Sequence, residues 1–164
     1  MESNDISKKD FKLYFIVIII VIVITSSLVI YNVIINVEKS TSFYWYDENG
    51  GYNFPKEIQV NHYYNVTIGI SNFEQKLMLY RVYVKVGNIS TIINSTHPAD
   101  LYINSTFFEF TVLNGLTKTF DVSMNMTIVQ INIKLVTELW KYDSVSNTYV
   151  YSGKFLFVHY NVTA

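Results

Sequence analysis

The feature that most constrains this chain is an apolar segment, residues 13–35, that contains no charged side chain. As a helix rising about 1.5 Å per residue, it would be roughly 34 Å long, enough to cross the hydrocarbon core of a bilayer. The sequence therefore predicts one transmembrane helix, surrounded by membrane lipid, after a short polar tail at residues 1–12.

The charges that flank this segment predict its orientation. Lys8, Lys9 and Lys12 precede it, whereas only Glu38 and Lys39 follow it closely. The positive-inside bias then predicts a cytoplasmic N-terminus and an extracellular C-terminal domain in a single-pass protein of the cell membrane.

Two kinds of processing are alternatives to an uncleaved anchor. A signal peptide has a shorter apolar core, about 7–15 residues, and an A-x-A-like cleavage site, which does not follow this segment. A pilin-type leader is cut just ahead of the hydrophobic helix, but the sequence SKKDF at residues 7–11 lacks the small residue usual at that cut. The sequence favours the uncleaved anchor.

The remainder reads as a connector, residues 36–41, and one domain, residues 42–164. A length of about 125 residues suits a single domain with its own core. The 14 tyrosines and 11 phenylalanines, against 6 glycines and 2 prolines, favour strands. The net charge of −1, with both signs interspersed, gives no basic field for nucleic acid. Because the chain has no cysteine, it has no disulfides and no thiolate chemistry.

Alternating apolar and polar residues predict the strands of this domain. Asn114-Gly115 lies between two such runs and is the strongest short hairpin signal in the chain. Residues 88–100 read as a loop and residues 161–164 as a frayed end. The pattern predicts an all-β, immunoglobulin-like antiparallel sandwich of seven or eight strands. The alternating apolar positions are Val66, Ile68, Ile70; Met78, Tyr80, Val82, Val84, Val86; Phe108, Phe110, Val112; Phe120, Val122, Met124, Met126; and Ile131, Ile133, Leu135, Leu139.

No motif for catalysis, cofactor binding or metal binding is present. The three histidines, His62, His97 and His159, lack the spacing of a metal site. The carboxylates are spread over different strands, mostly on outward faces; they are Glu57, Glu74, Glu109, Asp121 and Glu138. We therefore expect no enzymatic activity and no cofactor.

Six N-x-Ser/Thr sequons predict N-glycosylation, and all lie beyond the apolar segment. Asn65 and Asn125 also fall on the polar sides of their strands. The alternative is that an asparagine-rich composition produces such triplets by accident. The six acceptor positions are Asn65, Asn88, Asn94, Asn104, Asn125 and Asn161.

The aromatic residues have two interpretations. Phe43, Tyr44, Trp45 and Tyr46 belong either to the interfacial aromatic belt or to a packed first strand. The later tyrosines serve either strand packing, which is the commoner use, or a binding surface, since tyrosine gives contact area at low entropic cost. These are Tyr63, Tyr64, Tyr149, Tyr151 and Tyr160.

Five stretches together resemble a known family. NFPKEIQV (53–60), NVTIGISNFE (65–74) and YRVYVKV (80–86), then IKLVTELWK (133–141) and residues 149–158, are similar to the ectodomain of an uncharacterised archaeal membrane-protein family. The resemblance implies an immunoglobulin-like exported domain and carries no active site. Longer members have several spans where this chain has one. A weaker likeness, at the level of layout, is to archaeal pilins, archaellins and their envelope-anchoring subunits.

These features together predict a glycosylated extracellular module that binds a protein partner in the archaeal cell envelope, such as a surface-layer or appendage subunit. Self-association into a homo-oligomer stays open. The alternatives are a filament subunit assembled through its hydrophobic helix and a surface receptor for a ligand.

Overall fold

The computed structural model describes residues 8–35 and 39–164. Its first element is helix α1 (Lys8–Ile35), so the predicted apolar helix is confirmed and begins earlier than residue 13. The stretch Phe11–Tyr31 is long and apolar enough for a membrane anchor or a signal sequence. Residues 1–7 of the predicted tail and 36–38 of the predicted connector lie outside the described residues.

Three serine and threonine side chains, those of Thr25, Ser26 and Ser27, interrupt the apolar surface of α1, and two of them have hydrogen bonds within the helix. Thr25 Oγ1 donates a hydrogen bond to the Val21 carbonyl oxygen at 2.8 Å, and Ser27 Oγ donates one to the Val23 carbonyl oxygen at 2.8 Å. Both hydroxyls are thereby satisfied within the helix, which suits them to surroundings that offer no hydrogen-bond partner.

Residues Lys39–Ala164 form a separate compact unit of eight strands in two sheets. One sheet has the order β1-β3-β6 and the other β2-β8-β7-β4-β5. Every paired neighbour is antiparallel except β2, which runs parallel to β8. The predicted immunoglobulin-like sandwich after an N-terminal helix is confirmed. The strands are β1 (Ser40–Tyr46), β2 (Glu57–Gln59), β3 (Tyr63–Phe73), β4 (Met78–Gly87), β5 (Asn104–Val112), β6 (Thr117–Asn125), β7 (Gln130–Asp143) and β8 (Thr148–Thr163).

The core lies between the two sheets, and the predicted alternating residues make up most of it. Ile68 and Ile70 of β3 are completely buried, and so are Tyr80 and Val82 of β4. Burying each such side chain is worth about 1.5–3 kcal/mol relative to leaving it in water. The period-two pattern therefore identified the inward face of these strands.

The first aromatic run packs as a strand. Trp45 of β1 is buried, and its ring lies 5.1 Å from that of Phe54. Tyr44 and Tyr46 are half-buried, with ring centroids 5.3 Å apart. The structure therefore supports strand packing for this run.

The hairpin predicted at Asn114-Gly115 is wrong, because β5 and β6 lie in different sheets. The turn is a corner between the sheets. Gly115 N donates to the Asn72 carbonyl oxygen at 2.7 Å, and Gln75 N donates to Asn114 Oδ1 at 2.9 Å. These bonds tie the corner to the β3–β4 turn and take the place of ladder bonds between β5 and β6.

The β7 and β8 strands differ from the sequence expectation at two points. A register shift between Gln130 and Ile133 leaves Ile131 73% exposed, so this residue is not part of the inward row. The predicted frayed end at 161–164 is also wrong. Residues 161–163 pair with β2, and Val162 is buried in the core.

A polar network joins β1, β4 and β7 through Glu74. Thr41 Oγ1 donates to Glu74 Oε1 at 2.6 Å and lies 3.0 Å from the Tyr80 hydroxyl, while Lys141 forms an ion pair with Glu74. Burial alone would raise the pKa of Glu74, but the hydrogen bonds from Lys141 and Thr41 outweigh it, so the pKa is lowered from its ordinary value of 4.5. The folded state thus favours the ionised carboxylate.

This lowered pKa predicts an acid-sensitive contribution to stability. The contribution of Glu74 is fully present above its ordinary pKa and is lost as the pH falls through the lowered folded-state value. We expect Glu74→Gln to lower the free energy of unfolding by about 1.5 kcal/mol at pH 7 and to flatten its fall below about pH 4. Urea titrations of the full chain at both pH values check this. Glu57→Gln, on an exposed side chain of β2, is the control; an equal loss there would contradict the network's role.

Candidate interaction face

The outer side of the five-stranded sheet carries an unusual concentration of aromatic residues. They alternate along their strands with the buried core residues and so point away from the core. Most are half-buried, and Phe107 is 51% exposed. We call this set the aromatic face: Tyr83, Phe107, Trp140, Tyr142, Tyr149 and Tyr151.

The rings of the aromatic face contact one another across four strands. Ring centroids are 5.7 Å apart for Tyr83 and Phe107, and 5.5 Å for Tyr83 and Trp140. The row continues from Trp140 to Tyr151 at 5.7 Å. Distances of this kind are typical of favourable tilted and edge-to-face aromatic pairs. The side chains are therefore held in a fixed arrangement before any partner arrives.

Arg81 lies at the centre of the aromatic face. Its guanidinium carbon is 4.0 Å from the centroid of the Tyr149 ring and 4.8 Å from that of Phe107. Arg81 Nε also donates to Glu109 Oε1 at 2.9 Å. The guanidinium is thus oriented by stacking and by an ion pair while about a quarter of its side chain stays in contact with solvent.

Another part of this sheet surface is covered by the β4–β5 loop, residues 88–103, which we call the cover loop. Lys134 Nζ donates to the Thr91 carbonyl oxygen at 2.7 Å, and the Tyr151 hydroxyl donates to the Asn94 carbonyl oxygen at 2.8 Å. The predicted loop at 88–100 is thus confirmed, and it folds back onto strands β7 and β8.

A buried ion pair lies beneath the cover loop. Lys85 Nζ is 3.0 Å from Glu138 Oε1 and 3.0 Å from the Ala99 carbonyl oxygen. Glu138 also accepts hydrogen bonds from the Ala99 amide and from Trp140 Nε1, the latter at 3.1 Å. Glu138 lies on the outer side of the sheet, opposite Tyr83, but it is completely buried because the cover loop lies over it.

The buried pair also acts on the aromatic face. Burial, and secondly the charge of Glu138, raises the pKa of Tyr151 to about 12. The protonated Tyr151 phenol is the donor of the hydrogen bond to the cover loop. The hydrogen bonds of Glu138 hold the side chains of Lys85 and Trp140 and the backbone of the cover loop in place.

The predicted tyrosines separate into three groups. Tyr64 and Tyr160 are buried in the core, with ring centroids 5.6 Å apart, so they serve packing. Tyr149 and Tyr151 belong to the aromatic face, whereas Tyr63 is exposed on β3. Sequence reasoning did not single out Phe107 or Arg81, although the register of β4 and β5 places them beside Tyr83 and Glu109.

The histidines do not come together. His62 follows β2 in a turn, the Nδ1 atom of His97 is 2.8 Å from the Thr96 hydroxyl, and the His159 ring stands edge-on to Phe157. Within residues 8–35 and 39–164, no group of three or more histidine, aspartate or glutamate side chains is placed to hold a metal ion.

A groove opens between the free edges of β5 and β6, where the two sheets diverge. Its volume is about 350 Å³, within the range of small-molecule sites. Apolar side chains of both sheets and of the cover loop line it, among them Val86, Val122 and Met124 of the strands and Ile103 of the loop.

The six sequon asparagines differ in exposure. Asn65, Asn94, Asn104 and Asn125 are exposed. Asn88 and Asn161 are half-buried, and their side-chain oxygens accept hydrogen bonds from the backbone amides of Ser90 and Asn132, respectively. Where glycans are attached, the four exposed positions are the ones that can carry them without disturbing the fold.

We therefore expect glycans at Asn65, Asn94, Asn104 and Asn125 in preference to Asn88 and Asn161. The physical reason is exposure, because the side chains of Asn88 and Asn161 are half-buried whereas the other four are open to solvent. Peptide mass spectrometry of the full chain from its native membrane measures the occupancy of each site. Bare asparagines at all four exposed positions would contradict the prediction.

Comparison with known proteins gives likeness of fold only. No family model matches the chain, and no curated protein matches its sequence. Among solved structures, the chain is similar to the CARDB domain of a Pyrococcus furiosus protein crystallised with di-metal ions (TM-score 0.49, 10% identity, 76% of this chain and 89% of that one). It is also similar to Spo0M, a sporulation control protein of Bacillus subtilis (TM-score 0.45, 9% identity, 76% and 50%).

A third similar structure is a β-glucosidase of Erythrobacter marinus (TM-score 0.49, 8% identity, 76% of this chain but 16% of that one). At such identities and TM-scores, none of the three assigns a ligand, a metal or an activity to this chain. The sandwich itself supports the immunoglobulin-like fold that the sequence resemblance implies.

Proposed function

We propose that this protein is a membrane-anchored, extracellular module of the archaeal cell envelope that binds a protein partner through the aromatic face. Helix α1 stays in the bilayer as an uncleaved anchor, and the sandwich stands outside the cell. The module has a binding role and no enzymatic one.

The observation that carries the proposal is the aromatic face with Arg81 at its centre. Aromatic residues and arginine are enriched at protein interfaces and at their energetic hot spots. Here they are preorganised by ring contacts and by the Arg81–Glu109 pair, so little side-chain entropy remains to be lost on binding.

The orientation of the anchor rests on sequence. Three lysines precede α1's apolar stretch and one follows closely, which favours an exported C-terminal unit. The sequons lie on that same side and fit it, because glycan transfer takes place on the exported side.

Site-specific photo-crosslinking tests the proposal. A photoreactive amino acid replaces Phe107 on the aromatic face of the full chain in native membranes. Thr119, exposed on β6 of the other sheet, is the matched control position. We expect a discrete protein adduct from position 107, absent from position 119 and absent when Arg81→Ala is added. Equal adducts from both positions, or none from 107, would contradict the proposal.

The groove between β5 and β6 favours a second candidate, a surface receptor for a small apolar ligand. Native mass spectrometry of the detergent-released full chain would then show a bound mass. Ile103→Asp, in the groove, should abolish it, whereas Ile92→Asp, equally exposed on the cover loop but outside the groove, should not. An unliganded mass in the wild-type chain would rule this candidate out.

A further inference from the structure

One end of the sandwich gathers three turns beside the start of β1. Ser40 lies opposite Phe73 in the β1–β3 ladder, next to the β3–β4 turn. The β5–β6 turn is bonded to that turn through Asn72 and Asn114, and the ion pair of Lys141 with Glu74 brings in the end of β7. We call this end, with its turns at 74–77, 113–116 and 144–147, the Ser40 end.

The turns of the Ser40 end expose large apolar side chains, although turns are usually polar. Five such residues project from the three turns or directly flank them, and each is at least 45% exposed. A concentration of exposed apolar side chains at one end of a domain is typical of a site that contacts a protein or a membrane. The five are Phe73, Leu77, Leu113, Leu116 and Val145.

Lysines surround these apolar tips. Lys39, Lys76 and Lys118 lie at the Ser40 end in addition to Lys141, which pairs with Glu74. Among the described residues of this end, the only other carboxylate is Asp143. The Ser40 end is therefore both apolar and basic.

The connection between helix α1 and the Ser40 end is short. Only residues 36–39 separate Ile35, the last residue of α1, from Ser40. Fully extended, this connection spans roughly 17 Å, about the depth of one leaflet. With α1 in a bilayer, the Ser40 end cannot lie far from the membrane surface.

We propose that the Ser40 end rests on the lipid surface, with its apolar turn residues in the interfacial region and its lysines among anionic headgroups. This inference rests on the proposed function, since it requires α1 to remain an anchor. Apolar tips with interspersed lysines match the chemistry of the membrane interface. A second copy of the same end is a poorer partner, because it would bring the lysines of both copies together.

This placement has a consequence for the aromatic face. The aromatic face lies on the outer side of the five-stranded sheet and not at this end, so lipid contact of the Ser40 end would leave it uncovered. The aromatic face would then be open to a neighbour within the same envelope layer.

Fluorescence quenching in vesicles tests the inference. Because the chain has no cysteine, single variants accept one environment-sensitive label each. Leu116→Cys and Val145→Cys report on the Ser40 end. Ile128→Cys is the matched control, an equally exposed apolar residue at the opposite end of the sandwich. The labelled full chains are reconstituted in phosphatidylcholine–phosphatidylglycerol vesicles that contain lipids with a nitroxide headgroup.

We expect the labels at positions 116 and 145 to be quenched at least threefold more than the label at 128. Flotation of the vesicles distinguishes the two levels of failure. If the chain floats with the vesicles but all three labels are quenched equally, the lipid contact of the Ser40 end is overturned and the anchor stands. If the chain does not float with the vesicles, α1 is not a membrane anchor, and both the proposed function and this inference are contradicted.

Discussion

Replacing Glu138 with alanine should lower the free energy of unfolding by about 3–5 kcal/mol, because it leaves the buried Lys85 ammonium without its counter-ion. The Ala99 amide and Trp140 Nε1 lose their acceptor at the same time. Urea titration of the full chain, followed by the fluorescence of its two tryptophans, measures the change. Both tryptophans, Trp45 and Trp140, lie in the sandwich, so the helix contributes no signal.

Two controls separate the buried charge from other effects of the substitution. The double variant Lys85→Met, Glu138→Leu removes both charges and should recover part of the loss, since no unpaired ion remains buried. Glu109→Ala breaks the partly exposed pair with Arg81 and should cost about 1 kcal/mol or less. A cost for Glu138→Ala no larger than that for Glu109→Ala would contradict the account of the cover loop.

Replacing Asn72 with alanine should lower the free energy of unfolding by about 2–4 kcal/mol. The Asn72 side chain is completely buried, and its Nδ2 donates to the carbonyl oxygens of Lys76 and Val112, each at 2.8 Å. Its Oδ1 accepts from the Glu74 amide at 2.9 Å. Removing this side chain leaves several buried backbone groups without a hydrogen-bond partner, and each such group costs about 1–3 kcal/mol of stability.

Variants at two positions test this assignment by urea titration. Asn72→Asp retains the acceptor for the Glu74 amide but loses both donors, so it should also be strongly destabilising. Asn114→Ala, at an exposed position of the same corner, should cost about 1 kcal/mol or less. If Asn72→Ala were as mild as Asn114→Ala, the corner would not depend on the buried side chain.

The sequence was sufficient to predict which side chains are buried where burial follows the two-residue alternation of a single strand. Val66, Ile68 and Ile70 alternate with polar residues because one side of β3 faces the core, and that pattern is visible without any partner strand. The apolar helix was predictable for a similar reason, since its length and composition are properties of one segment. Class and strand positions therefore followed from residues close together in the chain.

The parts that the sequence did not predict depend on residues far apart in it. The sequence Asn114-Gly115 correctly indicates a turn. That β6 enters the other sheet depends on hydrogen bonds that join this turn to Asn72 and Gln75, which the local sequence does not reveal. Glu138 looks outward-facing on β7, and it is buried because the cover loop, some forty residues earlier, folds over it. Ile131 fits the alternating pattern but lies outside the core, because the pairing register of β7 and β8 shifts beside it.

The aromatic face was predictable only in part. Tyr149 and Tyr151 were candidates, because their strand is rich in tyrosine. Phe107 and Arg81 join them through the β4–β5 register and through the stacking of Arg81 on Tyr149, neither of which has a local sequence signal.

The most direct test of the central claim, a tethered extracellular sandwich, is cysteine accessibility in intact cells that express the full chain. Glu48→Cys lies in an exposed turn of the sandwich, and Ser3→Cys lies in the N-terminal tail. We predict that a membrane-impermeant maleimide labels position 48 in intact cells and position 3 only after lysis, with both variants retained in the membrane after an alkaline wash. Labelling of position 48 only after lysis, loss of position 3 by cleavage, or release of the chain by the wash would contradict the claim.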